Sequence, residues 1–334
     1  MRIAIDAMGG DHAPDVNLEA SLAAAREWPD TEIILTGPAD LLHGRLGGDM
    51  PGNLRIVDAK EAIAADEEPV RAVRRKPDSS MVVAGRLVKE GAADAMVSSG
   101  NTGALMATGL LVIGRLPGID RPGLAPMLPS LDDVGVLALD LGANMDAKPE
   151  HFLQYAIMGT IYREKVHGIS RPKVGLLNVG TEPGKGNELA KAAYALLEQA
   201  PIHFVGNVEA RDVLLRHCDV LVCDGFNGNI LLKAMEGAVS VFTSMLREEL
   251  NASARNRLAA LMLRPAFRKV RKKLDYQEYN GAPLLGVNGL VFKSHGSSDA
   301  RAVKNAIRIA REAVRNGLRE ALGGEFGMGG GTST

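Results

Sequence analysis

Short runs rich in Val, Ile and Leu alternate with longer Ala-, Leu-, Glu- and Arg-rich helical patterns along most of the chain, and few folds accommodate that rhythm. The strand-like runs are 2–7, 32–36, 54–57, 94–98, 134–141, 173–179, 202–205 and 219–223, while helical patterns fill 16–28, 79–89, 102–114, 150–166, 188–198 and 298–318. Strands that take turns with helices assemble most readily into a parallel sheet covered by helices. The expected fold class is therefore α/β: an α/β/α sandwich with a largely parallel sheet, one unit over 1–322 with an internal cleft. The glycine-rich stretch 323–334 is expected to fray as a flexible tail.

Composition narrows the function classes. With 46% hydrophobic residues in 334, the chain can bury a large core, and 39 Lys+Arg against 40 Asp+Glu excludes a highly charged disordered protein. Near-neutral charge, one Trp, five Tyr and seven Phe argue against a general nucleic-acid binder. Asp6 interrupts the N-terminus before an apolar run long enough for a secretion signal, and 103–114 is too short to span a bilayer, so a cytoplasmic location is expected. Cys218 and Cys223 flank an apolar run without a CxxC motif and read as core thiols in a reducing compartment. His43, His151, His167, His203 and His217 lack a second ligand at metal spacing, so neither a metal nor an organic cofactor is expected.

One section breaks the alternation. From 228 to 274 there is no strand signal, and helical periodicity continues until Pro265, which predicts two helices joined near that proline and protruding as a hairpin over about 230–280. Within 251–274 the charged residues are all basic, among them Arg264, Arg268 and Lys269, and Leu258, Leu261, Met262, Leu263 and Phe267 add apolar bulk. Three readings stand side by side: an anionic membrane surface, an acidic partner protein, or a dimer interface with a solvated face.

The chemistry is expected at turns where strands run into helices, since open α/β sheets place ligand sites there. Asp6-Ala7-Met8-Gly9-Gly10-Asp11 lets the backbone approach a ligand closely at Gly9 and Gly10, with a plain tight turn as the competing reading. Ser98 to Ala104 offers Ser99, Gly100, Asn101, Thr102 and Gly103 at the positive end of a helix, a setting for phosphate or for ordinary N-capping. The turn 178–188 sets Lys185 between two glycines, where it reads either as a cation reaching back over a ligand or as a solvated loop lysine, and 224–229 ends in Asn229, either a donor for an acyl oxygen or phosphate or a helix cap. Asp140 to Asn144 is a further strand exit that either lines the same cleft or simply ends its strand, and His295 lies in the Gly/Ser turn 293–298, where a solvent-facing role is as plausible as a functional one.

Taken in order and spacing, these turns closely resemble the bacterial phosphate acyltransferase (PlsX) family over residues 1 to about 320. The resemblance implies transfer of a fatty acyl group from acyl carrier protein to inorganic phosphate, giving acyl phosphate for a downstream glycerol-3-phosphate acyltransferase in phospholipid synthesis. It also implies a homodimer, a fold similar to isopropylmalate dehydrogenases and phosphate acetyltransferases, reversible peripheral association with membranes, and Lys185 and Asn229 as the catalytic pair. Ionised phosphate needs no protein nucleophile, only orientation and charge screening, which fits the absence of a Ser-His-Asp or Cys-His set. The competing functions are a phosphate acetyl- or butyryltransferase using coenzyme A, a nicotinamide-dependent dehydrogenase, against which the missing Rossmann fingerprint argues, and a noncatalytic membrane-docked protein that binds acyl carrier protein.

Overall fold

Ile3, Ala4 and Ile5 are almost wholly inaccessible, and so are Ile33, Ile34 and Leu35 beside them, because the strands that carry them lie at the centre of a sheet covered on both faces. A computed structural model describes residues 1–48, 50–132, 134–274 and 281–327, without the side chains of 268, 269 and 271–274. Its strands are β1 (Arg2–Asp6), β2 (Glu32–Gly37), β3 (Leu54–Asp58), β4 (Ala95–Ser98), β5 (Gly123–Leu124), β6 (Met127–Leu128), β7 (Val136–Leu139), β8 (Lys173–Asn178), β9 (His203–Glu209), β10 (Val220–Val222), β11 (Ala282–Leu285) and β12 (Leu290–Lys293).

They form two sheets where one was expected. The first has the order β3-β2-β1-β4-β12-β11-β5 and the second β6-β7-β10-β8-β9. Pairing is parallel except around β11 and between β6 and β7, so the α/β class with mostly parallel strands holds. Four strands had no sequence-based counterpart: β5 and β6 have two residues each, and β11 and β12 have four each in a Gly-rich stretch, too short to establish a period. Register matters for the site, because β12 runs parallel to β4 with Lys293 opposite Ser98.

Two long helices cover the sheets by burying one face each. Ala300–Arg315 is capped by Asp299, whose carboxylate accepts from the Ala302 amide at 2.8 Å, and it turns Val303, Ala306, Ile307, Ala310 and Ala313 into the core of the first lobe. Pro149–His167 covers the second sheet with Phe152, Tyr155, Ala156 and Tyr162. The expected helix at 102–114 is α-helical to Thr108 and then widens into a π-helical turn, Gly109–Ile113, where Gly109 lets Leu284 approach. Helix Leu318–Gly327 runs five residues into the stretch expected to fray, and the rest of that stretch, 328–334, lies outside the described residues.

The helical hairpin is present, but its joint is elsewhere. Gly225–Asn251 and Ala254–Leu274 meet at Ala252-Ser253, and Pro265 lies inside the second helix. Polar side chains make the joint: Ser253 Oγ accepts from the Asn256 amide at 3.1 Å, and Asn256 Nδ2 donates back to the Glu249 carbonyl at 2.9 Å. Pro265 is tolerated because the carbonyl it orphans, that of Leu261, lies on an exposed stretch where water can satisfy it. Among the described residues no helix is long and apolar enough to cross a membrane.

Candidate active site

The first lobe converges on the carboxyl ends of β1, β4 and β12. Asp6, at the end of β1, is buried and accepts from the hydroxyls of Ser80 at 2.5 Å and Ser98 at 2.6 Å. Burial raises its pKa above the usual carboxylate range, and these hydroxyls oppose that shift. Asn17, which sequence reasoning passed over, donates to the carbonyls of Ala7 and Gly9 at 3.0 and 2.8 Å and so pins the turn that follows β1.

Glycine is required there by contact. A Cβ on Gly9 would stand 2.5 Å from an Asp6 carboxylate oxygen and 2.7 Å from the Gly100 nitrogen, so the turns after β1 and β4 touch through their backbones. Gly10 has φ +102° and lies against Ser99, and the Asp11 amide donates to the Gly296 carbonyl at 2.8 Å. Gly9, Gly10, Asp11, Ser99, Gly100 and the 295–296 turn therefore share one cradle. Asn101 braces the loop: its Oδ1 caps the Ala104 amide at 3.0 Å while its Nδ2 donates to the Ala65 carbonyl at 2.9 Å. Gly103 is the contact point for Pro69, and Thr102 faces the cleft.

The second lobe contributes the exits of β7 and β10. Asp140 holds the turn after β7 by accepting from the Ala143 and Asn144 amides at 3.1 and 2.6 Å. Gly225 and Gly228, at the start of the long helix, press against Asn144 and the Asp140 carbonyl, which fixes Asn229 beside Gly142.

Between the lobes lies a cavity of about 740 Å³. Thr102, Asn229, Lys293 and His295 line its polar end; Leu232, Met235, Val239, Phe242, Leu246 and Leu250 of the first hairpin helix, with Ala260, Phe267 and Val270 of the second, give it an apolar stretch, which Lys233, Glu236 and Arg247 also border. The spacing of the apolar residues by three and four puts them on one face of the first helix. His295 Nδ1 lies 2.8 Å from Ser297 Oγ, and burial followed by the neighbouring Lys293 charge lowers its pKa.

Lys293 is the residue sequence reasoning missed. It is 9% exposed, its ammonium donates to the Ser294 carbonyl, and burial lowers its pKa from 10.5 to about 8 against the attraction of Asp6 and Asp11. The available signal was a lysine ending an apolar run, Leu290-Val291-Phe292, which a central strand would bury.

Lys185 is not part of that polar end. It sits in the loop after β8, held where Asn178 Nδ2 donates to its carbonyl at 3.1 Å, with its exposed ammonium 3.9 Å from Glu182. Of the residues expected to meet a membrane, Leu258, Leu261, Met262 and Leu263 are exposed, Met262 to 76%, and Arg264 with them, whereas Phe267 turns inward. The side chains of Arg268 and Lys269 lie outside the described residues. Cys218 and Cys223 are buried, their thiols pushed up by burial, Cys218 to about 12. Among the described residues no three His, Cys, Asp or Glu side chains cluster as metal ligands.

Residues 1–321 match the family model described as fatty acid synthesis protein. A phosphate acyltransferase of Brevibacillus brevis is 54% identical over 322 residues, covering 96% of each chain, and one of Shouchella clausii is 51% identical over 330 residues, covering 99% of this chain and 100% of the relative. Among solved structures, a phosphotransacetylase from Streptococcus pyogenes superposes with a TM-score of 0.60 at 17% identity, over 94% of both chains. One from Staphylococcus aureus gives 0.57 at 15% identity, again over 94% of both. At such identities the structural likeness speaks for the fold.

Proposed function

The chain belongs to the phosphate acyltransferase family, and from that premise we propose that it moves a fatty acyl group from acyl carrier protein to inorganic phosphate, supplying acyl phosphate for phospholipid synthesis. One observation carries the fatty acyl part: the polar end of the cavity continues into an apolar trough between the hairpin helices, so an anion and a hydrocarbon chain have adjoining places. A phosphate oxygen attacks the thioester carbonyl carbon, the new C–O bond forms as the C–S bond breaks, and the thiolate leaves to take a proton from solvent.

Within this reading the turns at Gly9 to Asp11 and Ser99 to Gly103 cradle phosphate, while Asn229 donates to the acyl carbonyl as negative charge develops there. Lys185 is assigned the cation that reaches across from the rim of the second sheet; its exposed pairing with Glu182 is worth little and is readily exchanged for a phosphate contact. The exposed Leu258, Leu261, Met262 and Leu263, in a segment whose charges are all basic, support reversible docking on anionic lipid.

The test supplies purified protein with phosphate and either an acyl carrier thioester or the coenzyme A thioester of the same chain, and traps acyl phosphate with hydroxylamine. Product from the carrier thioester at a kcat/KM well above that from coenzyme A supports the proposal. Preference for short-chain coenzyme A thioesters replaces it with an acetyl- or butyryltransferase, and no product from either donor discards catalysis in favour of a binding role. Lys185→Met and Asn229→Ala are each expected to lower turnover about 100- to 1000-fold.

A further inference from the structure

We propose that Lys293 is a catalytic residue, its ammonium receiving the phosphate dianion at the floor of the cavity and holding it while the acyl carbon is attacked. This role rests on the function proposed above and adds to it a residue that acts from the first lobe.

Topology places the side chain. β12 lies parallel to β4 with Lys293 opposite Ser98, so the lysine ends its strand beside the point where the next residue, Ser99, opens the glycine-rich turn. Lys293 lines the cavity together with Thr102, Asn229 and His295. Among the described residues it is the one lysine that is buried, and its ammonium is hydrogen-bonded only to the Ser294 carbonyl.

A buried cation without an anion in contact is unfavourable, and proteins retain such a group where a ligand completes it. The carboxylates do not complete it here. Asp6 attracts it but already accepts the hydroxyls of Ser80 and Ser98, and Asp11 acts through charge. A second group in the same cradle is also unfilled: Ser99 Oγ is buried with no hydrogen-bond partner in the protein. A phosphate accepting from the ammonium would neutralise that buried charge. A purely structural lysine would instead show a carboxylate within bonding distance.

The experiment compares wild type with Lys293→Met and Lys293→Arg. It measures kcat and KM for phosphate at saturating acyl donor, and the melting temperature with and without phosphate. The expected result for Lys293→Met is a loss of about 100- to 1000-fold in kcat/KM for phosphate and loss of the phosphate-induced rise in melting temperature, with the phosphate-free protein at least as stable as wild type. Lys293→Arg, which keeps the charge, is expected to retain the phosphate-induced rise. Wild-type kinetics in Lys293→Met, or a lowered melting temperature with the phosphate effect intact, overturns the proposal. Should the methionine variant not fold, wild-type protein treated with an amine-acylating reagent gives the answer: phosphate should protect Lys293, and equal labelling with and without phosphate refutes the contact. Failure of the wild type to make acyl phosphate from any thioester would sink the functional reading alone, since the phosphate-binding readouts do not depend on an acyl donor.

Discussion

Replacing Gly228 by Ala tests whether the two exits of the second lobe must touch for Asn229 to work. The added Cβ would lie 2.0 Å from the Asp140 carbonyl oxygen and 2.8 Å from both Cys223 Sγ and a Leu141 methyl. Ordinary contact begins at 3.4 Å, so the start of the helix has to retreat by about 1.4 Å from a backbone atom that cannot rotate away. Overpacking of this kind costs about 1–3 kcal/mol, corresponding to a fall in melting temperature of roughly 1–4 °C in a chain of this size. Asn229 is the next residue, and a displacement of about 1 Å in a reacting group can lower turnover about 100-fold. Acyl phosphate trapping at saturating phosphate and a thermal melt read the two effects separately. Gly237→Ala is the control, because nothing lies within 4 Å of its added Cβ; it is expected to stabilise the helix by about 0.5–1 kcal/mol at unchanged turnover. A Gly228→Ala protein with wild-type turnover and melting temperature would refute the claim that this contact positions Asn229.

Three further outcomes follow from the same structure. Because burial lowers the Lys293 pKa from 10.5 to about 8, the unfolded chain binds the extra proton between those values, so its burial penalty, on the order of 3 kcal/mol at neutral pH, is relieved as pH rises. Lys293→Met should thus melt above wild type at pH 7, the gap closing toward pH 10.5, while wild-type kcat/KM for phosphate falls about tenfold per unit above pH 8; a gap that does not depend on pH would contradict the assignment, whose facing charges are Asp6, Asp11 and His295. Val239→Trp narrows the apolar trough and is expected to lower kcat/KM for long acyl chains at least about tenfold relative to short ones, a ratio read by donor competition. Converting Leu258, Leu261 and Leu263 together to Ser removes side chains each worth about 1.5–3 kcal/mol when fully buried, so flotation with anionic vesicles should drop more than tenfold while soluble turnover persists; unchanged flotation would assign that surface to another partner.

The alternation of strands and helices was legible because a central parallel strand is apolar on both faces, as in Ile3 to Ile5 and Ile33 to Leu35, and leaves a dense local signal. The division into two sheets was not, because which strands pair is decided by contacts far apart in sequence, such as β4 with β12. Pro265 misled for a related reason: its penalty depends on whether the orphaned carbonyl can reach water, a property of the surroundings. The glycines of the site were readable as a group, and contacts below 3 Å at Gly9, Gly225 and Gly228 give the physical cause. Asn101 was seen, but sequence could not decide between capping and binding; its amide and its carbonyl are both occupied by backbone partners.

Lys293 eluded the sequence because a lone lysine at the edge of a short apolar run looks like a solvated strand end, and only the pairing of β12 with β4 makes that end an interior one. Asp6, on the neighbouring strand β1, has each carboxylate oxygen engaged by one serine hydroxyl. If Asp6 were free to approach the ammonium, the two would form an internal pair that phosphate must break on binding; with its oxygens taken by Ser80 and Ser98, the carboxylate steadies the lysine charge from a distance and leaves the contact position to a ligand. Ser80→Ala together with Ser98→Ala should therefore release Asp6 toward Lys293, weakening phosphate binding through a residue that touches neither substrate. A fall in apparent phosphate affinity in that double variant, restored by adding Asp6→Asn, is the expected signature; an affinity indifferent to all three changes would show that the serine-bound carboxylate has no part in keeping Lys293 available.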